Sequence, residues 1–242
     1  MKIALLGYGK MGQAIERIAK SRGHEIVLIV DENNRDRCTD ADLRQADVAI
    51  EFTMPGVVVD NYEWCFKNRV PVVSGTTGWL ARWEEVKNLC ATLEGCFFYA
   101  SNFSIGVNLF FRLNRQLASM MSRFKDYKVF VEETHHIHKL DAPSGTAITL
   151  AEGIIDQHEN YSSWKLAEKG LSGEVVPITA KREGEVPGIH AVTYKSSVDE
   201  IEIRHSAYSR DGFAKGAVIA AEFLQGKQVG FYGMEDLLKF ED

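Results

Sequence analysis

A glycine-rich turn near the N-terminus constrains this chain more than any other feature. Residues 2–6 form a short apolar run, and the sequence GYGKMG follows at residues 7–12. In a G-x-G-x-x-G turn between a strand and a helix, the first glycine permits the tight turn and the second lets a pyrophosphate approach the backbone. The third lets the helix pack closely on the strand. The turn therefore predicts a Rossmann-type dinucleotide-binding fold.

Apolar, strand-like runs alternate with helix-like segments over the first part of the chain. Four further strands are predicted at residues 25–30, 47–52, 70–74 and 96–100. This alternation indicates a doubly wound parallel sheet. Small or polar turns follow the last two strands, at residues 75–78 and 101–104. Because ligands of open α/β sheets bind beyond the carboxyl ends of the strands, these turns are expected to surround the same crevice as the glycine turn.

Asp31 directly follows the second predicted strand. In dinucleotide-binding folds an acid at about this distance, roughly 20 residues on, binds the adenosine ribose. Asp31 and Glu32 favour NADH over NADPH, because a 2′-phosphate would face two carboxylates. Lys10, Arg35 and Arg37 can offset that repulsion. The alternative interpretation is that Asp31 is only a turn residue after a strand.

The pattern changes in the second half of the chain. A helix is predicted at residues 107–124 with its apolar side in the core, a strand at 127–132, a polar loop at 159–172 and a β-rich run at 178–205. The end of that run alternates as a half-solvated antiparallel sheet does, and its open face could form a subunit contact. A last helix is predicted at residues 213–224. The expected fold class is α/β, with a Rossmann-type doubly wound parallel sheet and an α+β domain with an open mixed or antiparallel sheet.

Composition excludes several kinds of partner. A net charge of −6 argues against nucleic acid, because binding phosphates needs a basic surface. No apolar run approaches the roughly 20 residues of a membrane span, and the glycine turn interrupts the apolar start in a way unlike a signal peptide. We expect a cytoplasmic protein with no membrane partner. The cysteines have no C-x-x-C spacing and are expected to be free thiols: Cys38, Cys65, Cys90 and Cys96.

Residues 133–147, ETHHIHKLDAPSGTA, concentrate groups that transfer protons or bind anions. Their imidazoles titrate near neutral pH, and Lys139 can donate a proton or hold a carboxylate. A helix is predicted after Pro143, and the free N–H groups at its start attract anions. We predict an active-site loop. The alternatives are a merely polar loop and a zinc site. The adjacent His135 and His136, with no cysteine nearby, do not have the usual spacing of zinc ligands. No metal is therefore expected.

This stretch resembles the signature of the dihydrodipicolinate reductase family, also called 4-hydroxy-tetrahydrodipicolinate reductases, of bacterial lysine and diaminopimelate synthesis. Residues 51–53, 75–78 and 101–106 are similar to the family as well, so the resemblance covers nearly the whole chain. It implies an oxidoreductase that uses NADH or NADPH to convert a small cyclic dicarboxylate, 4-hydroxy-tetrahydrodipicolinate, into tetrahydrodipicolinate. It also implies a homotetramer.

The resemblance implies roles for individual residues. His135 is the acid/base, Lys139 is the proton donor, and substrate is contacted by His136, Gly145 and Thr146. The implied cofactor contacts are Gly7, Tyr8, Gly9, Lys10, Met11, Gly12, Asp31, Gly75, Thr76, Thr77, Ala100, Ser101, Asn102 and Phe103. Family members often have a longer glycine loop and a basic residue after the acid, where this chain has Glu32. The choice between NADH and NADPH is therefore open, with a preference for NADH expected.

The resemblance also implies a discontinuous dinucleotide-binding domain at residues 1–105 and 213–242, with a substrate-binding and tetramerisation domain at residues 106–212. Four further residues could reach the site, but as isolated polar residues in or near strands they are expected to be structural: His190, His205, Arg182 and Arg210. Two other functions stay open. One is a nicotinamide dehydrogenase for another small dicarboxylate, and the other is a non-catalytic nucleotide sensor, against which the proton-transfer groups of residues 133–147 argue.

Overall fold

The computed structural model describes residues 1–167, 174–209 and 211–239. The chain divides into two compact units. Unit 1 consists of Met1–Ser104 and Asp211–Asp242, and unit 2 consists of Ile105–Arg210. Each unit is built around its own β-sheet.

The strands are β1 Lys2–Leu6, β2 Glu25–Val30, β3 Val48–Glu51, β4 Val72–Ser74, β5 Cys96–Tyr99, β6 Lys128–His135, β7 Ser163–Leu166, β8 Val175–Arg182, β9 Gly188–Lys195, β10 Glu200–Ala207 and β11 Gly230–Tyr232. The helices are α1 Lys10–Ser21, α2 Asp40–Leu43, α3 Val58–Lys67, α4 Trp83–Thr92, α5 Ile105–Met121, α6 Gly145–Ile155, α7 Asp211–Leu224 and α8 Met234–Leu238.

The sheet of unit 1 has six strands in the order β11-β5-β4-β3-β1-β2, all parallel. β1 is fully buried from Ile3 to Leu6, as expected for a parallel strand covered on both faces. On one face, α3 and α4 pack over an aromatic cluster that includes Tyr62, Trp79 and Phe97. Helix α7 contacts α1 and the central strands β3, β4 and β5.

Small residues on α7 allow this close packing. Gly216 lies so near the backbone that a Cβ there would be 1.7 Å from the carbonyl oxygen of Phe103. The five strands predicted for this sheet are confirmed, whereas β11 was not predicted. It is three residues long and pairs only with β5, so it is too short to show a period in the sequence.

The sheet of unit 2 has five strands in the order β10-β9-β6-β8-β7. β9 is antiparallel to β6 and β10, while β8 is parallel to β6 and β7, so the sheet is mixed. Helices α5 and α6 cover one face, with a core that includes Leu150, Ile154, Val131 and Val192. The expected fold class is confirmed.

Three predictions about unit 2 need correction. The predicted polar loop at 159–172 contains the edge strand β7, because its backbone pairs with β8; residues 168–173 lie outside the described part. Strand β6 does not end at residue 132 but continues to His135, because β8 and β9 extend the ladder on both sides. The apolar side of α5 is only partly in the core. It leaves these side chains exposed, three of them on the helix and the last just after it: Leu109, Leu113, Met120 and Phe124.

Within the described residues, no helix has both the length and the apolar character needed to cross a bilayer. All four cysteines are free thiols, as predicted, and only Cys38 is partly exposed. Burial raises the pKa of the Cys90 and Cys96 thiols to about 11, so neither is a reactive thiolate near neutral pH.

Candidate active site

The carboxyl ends of β1, β2 and β3 surround a cavity of about 520 Å³ in unit 1. Of the residues expected to contact a cofactor, Gly7, Tyr8, Gly9 and Asp31 line it. The other expected contacts are not part of its lining: Lys10, Met11, Gly12, Gly75, Thr76, Thr77, Ala100, Ser101, Asn102 and Phe103.

The glycine turn has the geometry that a dinucleotide requires. Gly7 has φ +95°, and a Cβ there would lie 2.0 Å from the carbonyl oxygen of Phe52. A Cβ on Gly12 would lie 2.3 Å from the carbonyl oxygen of Gly7, so no side chain fits at either position. Gly9 is open and caps the start of α1 without a side-chain hydrogen bond. The first N–H groups of this helix can therefore bind a phosphate, and the residues present fit a dinucleotide.

Asp31 is held at the end of β2 by its turn. Its carboxylate accepts a hydrogen bond of 2.8 Å from the Asn33 amide, and its own amide donates to the Asn34 side chain. Glu32 and Arg35 line the same cavity. The Arg35 guanidinium lies 3.9 Å from the centre of the Trp64 ring. The cavity thus contains two carboxylates and one cation near the expected ribose position.

The turn after β4 is tied to the end of β3 rather than open to the cavity. Thr76 is buried, and its hydroxyl donates to the Glu51 carboxyl at 3.0 Å. A Cβ on Gly75 would lie 2.2 Å from the ring of Phe52, and Phe103 packs on the same ring with centroids 5.7 Å apart. These turns therefore support the wall of the cavity that Phe52 forms.

In unit 2, a buried carboxylate gathers the polar groups of the predicted catalytic stretch. Glu133 is 0% exposed, and its Oε1 accepts a hydrogen bond of 3.0 Å from the Ser144 amide. Arg182 approaches the same oxygen at 3.4 Å. On the other oxygen, Oε2, His135 Nδ1 lies at 3.2 Å and His190 Nε2 at 3.7 Å. Three strands and a helix start thus meet at one carboxylate.

The surroundings set the charges of this cluster. Burial alone would raise the pKa of Glu133, but the contacts with His135 and Ser144 lower it to about 2. Burial, with repulsion from His135, lowers the pKa of His190 to about 4. At neutral pH Glu133 is therefore a carboxylate and His190 is a neutral imidazole.

His135 lies at the end of β6, opposite Arg182, and is 8% exposed. Although Nδ1 is only 3.2 Å from Glu133, the two atoms do not meet hydrogen-bond geometry, and the buried Nδ1 has no other partner among the described residues. On its other side the ring faces Gly188, where a Cβ would lie 3.2 Å from Nε2. A small rotation of the ring would complete the contact with Glu133.

Helix α6 begins where the sequence predicted an anion-binding helix start. Ser144 is its N-cap, and the Ser144 hydroxyl accepts from the Ala147 amide and lies 3.1 Å from His190 Nε2. Gly145 and Thr146 follow in the first turn, with Gly145 exposed. Their amides precede the intrahelical hydrogen bonds and can receive a carboxylate.

The remaining predicted residues lie on the segment between β6 and α6. Lys139 Nζ donates to both oxygens of Asp141, at 2.6 and 2.7 Å, and this contact lowers the pKa of Asp141. His136 is half-buried, and within the part of the chain that the structure describes its buried Nδ1 makes no hydrogen bond. His138 is on the surface and pairs with Glu185 at 3.1 Å.

Sequence reasoning missed three members of the cluster, namely Glu133, Arg182 and His190. Arg182 does more than approach the carboxylate, since it also donates to the carbonyl oxygens of Lys139 and Asp141 at 3.2 and 2.6 Å. It thereby holds the segment that carries the predicted proton donor. Glu133 was the first residue of the stretch and gave a usable signal, whereas Arg182 and His190 come from β8 and β9 and gave none.

The other two residues that were expected to be structural are His205 and Arg210. His205 packs on Phe110, and Arg210 lies outside the described residues.

Glu133, His135 and His190 have ligand atoms within 4.8 Å of one another, which is a set that can bind a metal. The guanidinium of Arg182 lies beside the same carboxylate and would repel a cation. The donor set therefore suits an imidazole held by a carboxylate better than a metal ion.

Comparisons with known proteins cover nearly the whole chain. The family model described as dihydrodipicolinate reductase, N-terminus, matches residues 1–103, and the model of the C-terminus matches residues 106–238. The 4-hydroxy-tetrahydrodipicolinate reductase of Christiangramia forsetii is 51% identical over 98% of both chains. The Staphylococcus aureus enzyme of the same name is 36% identical, covering 98% of this chain and all of the relative.

Among solved structures, a dipicolinate-bound dihydrodipicolinate reductase from Paenisporosarcina sp. TG-14 superimposes with a TM-score of 0.76. It shares 23% sequence identity and covers 98% of both chains. An amine dehydrogenase from Mycobacterium smegmatis has the same general fold, with a TM-score of 0.59 and 9% identity. The two family models and the two relatives show that the chain belongs to the dihydrodipicolinate reductase family.

Proposed function

We propose that this protein reduces 4-hydroxy-tetrahydrodipicolinate to tetrahydrodipicolinate with NAD(P)H and loss of water, as a step of lysine synthesis through diaminopimelate. The observation that carries the proposal is the juxtaposition of His135, whose Nδ1 lies 3.2 Å from buried Glu133, with the start of α6. Relatives that bear this enzyme name match the chain over nearly its full length. The open glycine turn of unit 1 fits the nicotinamide cofactor.

The bound nicotinamide would supply the hydride. His135 and Lys139 would handle the proton that must accompany it, and both lie on the segment that ends β6 or follows it. A cyclic dicarboxylate needs N–H donors and cationic groups, which the amides of Gly145 and Thr146 and the side chain of His136 would provide. In this proposal Lys139 releases Asp141 when a substrate carboxylate or reacting nitrogen takes its place.

Glu133 would act on the reaction through His135. A carboxylate that accepts from one ring nitrogen fixes the tautomer of a histidine and stabilises its protonated form. With Nδ1 facing Glu133, proton exchange with substrate would take place at Nε2. The Ser144 amide would hold one oxygen of the carboxylate in place, and the neutral His190, 3.7 Å from the other oxygen, would not compete with His135 for its charge.

Cofactor preference follows from the cavity at the end of β2. We propose that Asp31 binds the adenosine ribose and that NADH is preferred, with Arg35 leaving room for some use of NADPH. Asp31→Ala should weaken NADH binding more than NADPH binding, by roughly tenfold in their ratio, since a charge-assisted hydrogen bond of about 1.5 kcal/mol is lost. Titration with both cofactors measures this, and an unchanged ratio would remove Asp31 from the ribose site.

Three further proposals concern the whole molecule. Unit 1 would bind the cofactor, and unit 2 would bind substrate and form the subunit contacts of a homotetramer. The exposed apolar side chains on and just after α5 and the open sheet face support an assembly. Light scattering should give the tetramer mass, and a monomeric mass would contradict the proposal. The cytoplasmic location stays a prediction.

The test of function is NADH and NADPH oxidation by purified protein supplied with the fresh condensation product of pyruvate and aspartate semialdehyde. We expect oxidation that depends on that product. If the protein binds NADH but oxidises none, the proposal fails and a nucleotide sensor gains support. Oxidation with a different dicarboxylate, and not with this product, would indicate a dehydrogenase of another substrate.

A further inference from the structure

We propose that Glu51 is a positioning residue for the cofactor site, which holds the two turns after β3 and β4 in the arrangement that binds NAD(P)H. This inference rests on the proposed function, because it assumes that the cavity of unit 1 receives the cofactor. Glu51 is the last residue of β3, is 0% exposed, and has no part in the proton transfer proposed for unit 2.

One oxygen of Glu51 joins both turns. Oε1 accepts a hydrogen bond of 2.9 Å from the Thr53 amide and another from the Thr53 hydroxyl. It also accepts one of 3.0 Å from the hydroxyl of Thr76, in the turn after β4. The Thr53 amide is shared with the Thr76 hydroxyl at 2.8 Å, so the two turns are also linked directly. The conformation of residues 52–54 therefore depends on an acceptor that lies behind them.

The other oxygen is fixed by a second, fully buried chain of hydroxyl groups. The Ser74 hydroxyl donates to Glu51 Oε2 at 2.6 Å and lies 2.6 Å from the hydroxyl of Tyr62 on α3. Tyr62 is 0% exposed and packs against Trp79 and Phe97. The carboxyl is thus anchored to the aromatic core on one side and to the turns after β3 and β4 on the other.

Burying the Glu51 carboxyl is unfavourable for the stability of the fold, which favours a role for this residue in function. A buried carboxyl surrounded by neutral donors gains no ion pair in return for its desolvation. Four donors meet it, and three of them belong to the turns after β3 and β4. Phe52, Thr53 and Met54, which these bonds fix, form one wall of the 520 Å³ cavity. Displacing that wall would change the shape of the cavity and thereby weaken cofactor binding.

The variants should separate positioning from general stability. Glu51→Ala removes the acceptor, and Glu51→Gln keeps Oε1 for the three turn donors. Thr76→Val removes both hydrogen bonds of the Thr76 hydroxyl, the one to Glu51 and the one from the Thr53 amide, while leaving the side-chain volume nearly unchanged. The control is Val86→Ala, which removes buried methyl groups from α4 in the same unit and is not part of the cavity lining.

We would measure the dissociation constants of NADH and NADPH by fluorescence titration, together with KM, kcat and the free energy of unfolding. Glu51→Ala should raise the dissociation constant for NADH by roughly tenfold or more, because the acceptor of three hydrogen bonds from the turns is lost. Glu51→Gln should restore it to within about threefold of wild type, and Thr76→Val should raise it by about fivefold. kcat at saturating NADH should change less than KM, because the groups that transfer the proton lie in unit 2. Val86→Ala should lower stability without changing NADH binding.

The results distinguish this inference from the proposed function. If wild-type protein binds neither NADH nor NADPH, both fail. If wild type binds and turns over, but Glu51→Ala and Thr76→Val bind NADH as wild type does, only the role of Glu51 is overturned. It is also overturned if Val86→Ala, at equal loss of stability, weakens NADH binding as much as Thr76→Val. Should Glu51→Ala fail to fold, Glu51→Gln and Thr76→Val still decide the question.

Discussion

Glu51 in unit 1 and Glu133 in unit 2 are equally buried, but their surroundings shift the pKa values of the two carboxyls in opposite directions. Both are 0% exposed, and both accept hydrogen bonds at or near the carboxyl end of a strand. Around Glu51 all hydrogen-bond donors are neutral, and burial raises its pKa. Around Glu133 stand Arg182 and His135, and its pKa is lowered to about 2 despite burial. The charge of a buried carboxyl is thus decided by its neighbours.

The different surroundings of the two glutamates indicate two different functional roles. A carboxylate that is ionised beside an imidazole can stabilise the imidazolium formed during a reaction. A carboxyl among hydroxyl and amide donors has no such charge partner and is suited to holding backbone in place. Glu133 should therefore affect turnover, and Glu51 should affect cofactor binding.

The largest expected effect is that of Glu133→Gln on turnover. Loss of the charge facing His135 Nδ1 should lower kcat by roughly 10²-fold or more, within the range attributed to a positioned acid or base. NADH binding should be unchanged, because Glu133 lies in the other unit. Steady-state kinetics and cofactor titration measure both quantities.

Its matched control is Glu132→Gln, the same substitution at the preceding residue of β6. Glu132 is paired with Lys181 at 2.6 Å, and both side chains are substantially exposed, so kcat should stay near the wild-type value. If Glu133→Gln lost NADH binding and turnover equally, the two carboxyls would not differ in role and the comparison would be wrong.

The second prediction concerns acid stability of unit 2. In the folded protein His190 has a pKa of about 4, below its usual 6.5. Between these two pH values the unfolded chain therefore binds a proton at His190 that the folded protein does not. Stability should therefore fall as the pH is lowered from 6.5 towards 4, by about 2 kcal/mol between pH 7 and about pH 5. Denaturant unfolding at several pH values measures this slope. His190→Asn should lack that part of the slope, and an unchanged slope would refute the assignment.

Next in size is the effect of crowding the catalytic imidazole. In Gly188→Ala the new methyl group would lie 3.2 Å from His135 Nε2 and should tilt the ring away from Glu133. We expect kcat to fall by roughly tenfold, since proton transfer depends on this orientation. Gly153→Ala is the control for crowding in unit 2, because its methyl group would lie 3.2 Å from the Arg115 side chain and 3.3 Å from Asn114 Nδ2, and neither belongs to the cluster around His135. Equal kcat values for the two variants would show that the orientation of His135 is not limiting.

The last prediction is that the stability contributions of the two glutamates change with pH in opposite directions. Because the pKa of Glu51 is raised above 4.5, folded Glu51 keeps a proton that the unfolded chain has lost. The stability of wild type relative to Glu51→Gln should thus fall as the pH rises from 4.5 through the raised pKa. For Glu133→Gln the relative stability of wild type should instead rise between about pH 2 and 4.5. Unfolding curves for both variants test this, and a rise for Glu51 would mean that its four donors keep it ionised.

Much of unit 1 was readable from the sequence. The glycine turn and the alternation of apolar strands with helices predicted five parallel strands correctly, because a buried strand and an amphipathic helix each need only local residues to show their period. The stretch at 133–147 likewise concentrated proton-transfer groups that are visible without a structure. The strand β11 and the edge strand β7 were missed, because each owes its conformation to a neighbour distant in the chain.

By itself, the sequence determined the dinucleotide-binding turn, the general architecture and the candidate residues His135, Lys139, Gly145 and Thr146. Only the tertiary structure decided that His135 ends a strand, and that Arg182 and His190 meet Glu133. It also decided that two equally buried glutamates carry different partners. The physical reason is that residue periodicity records which side chains face a core, whereas the partners of a buried charge are set by which strands pair. That pairing depends on contacts between segments far apart in the chain.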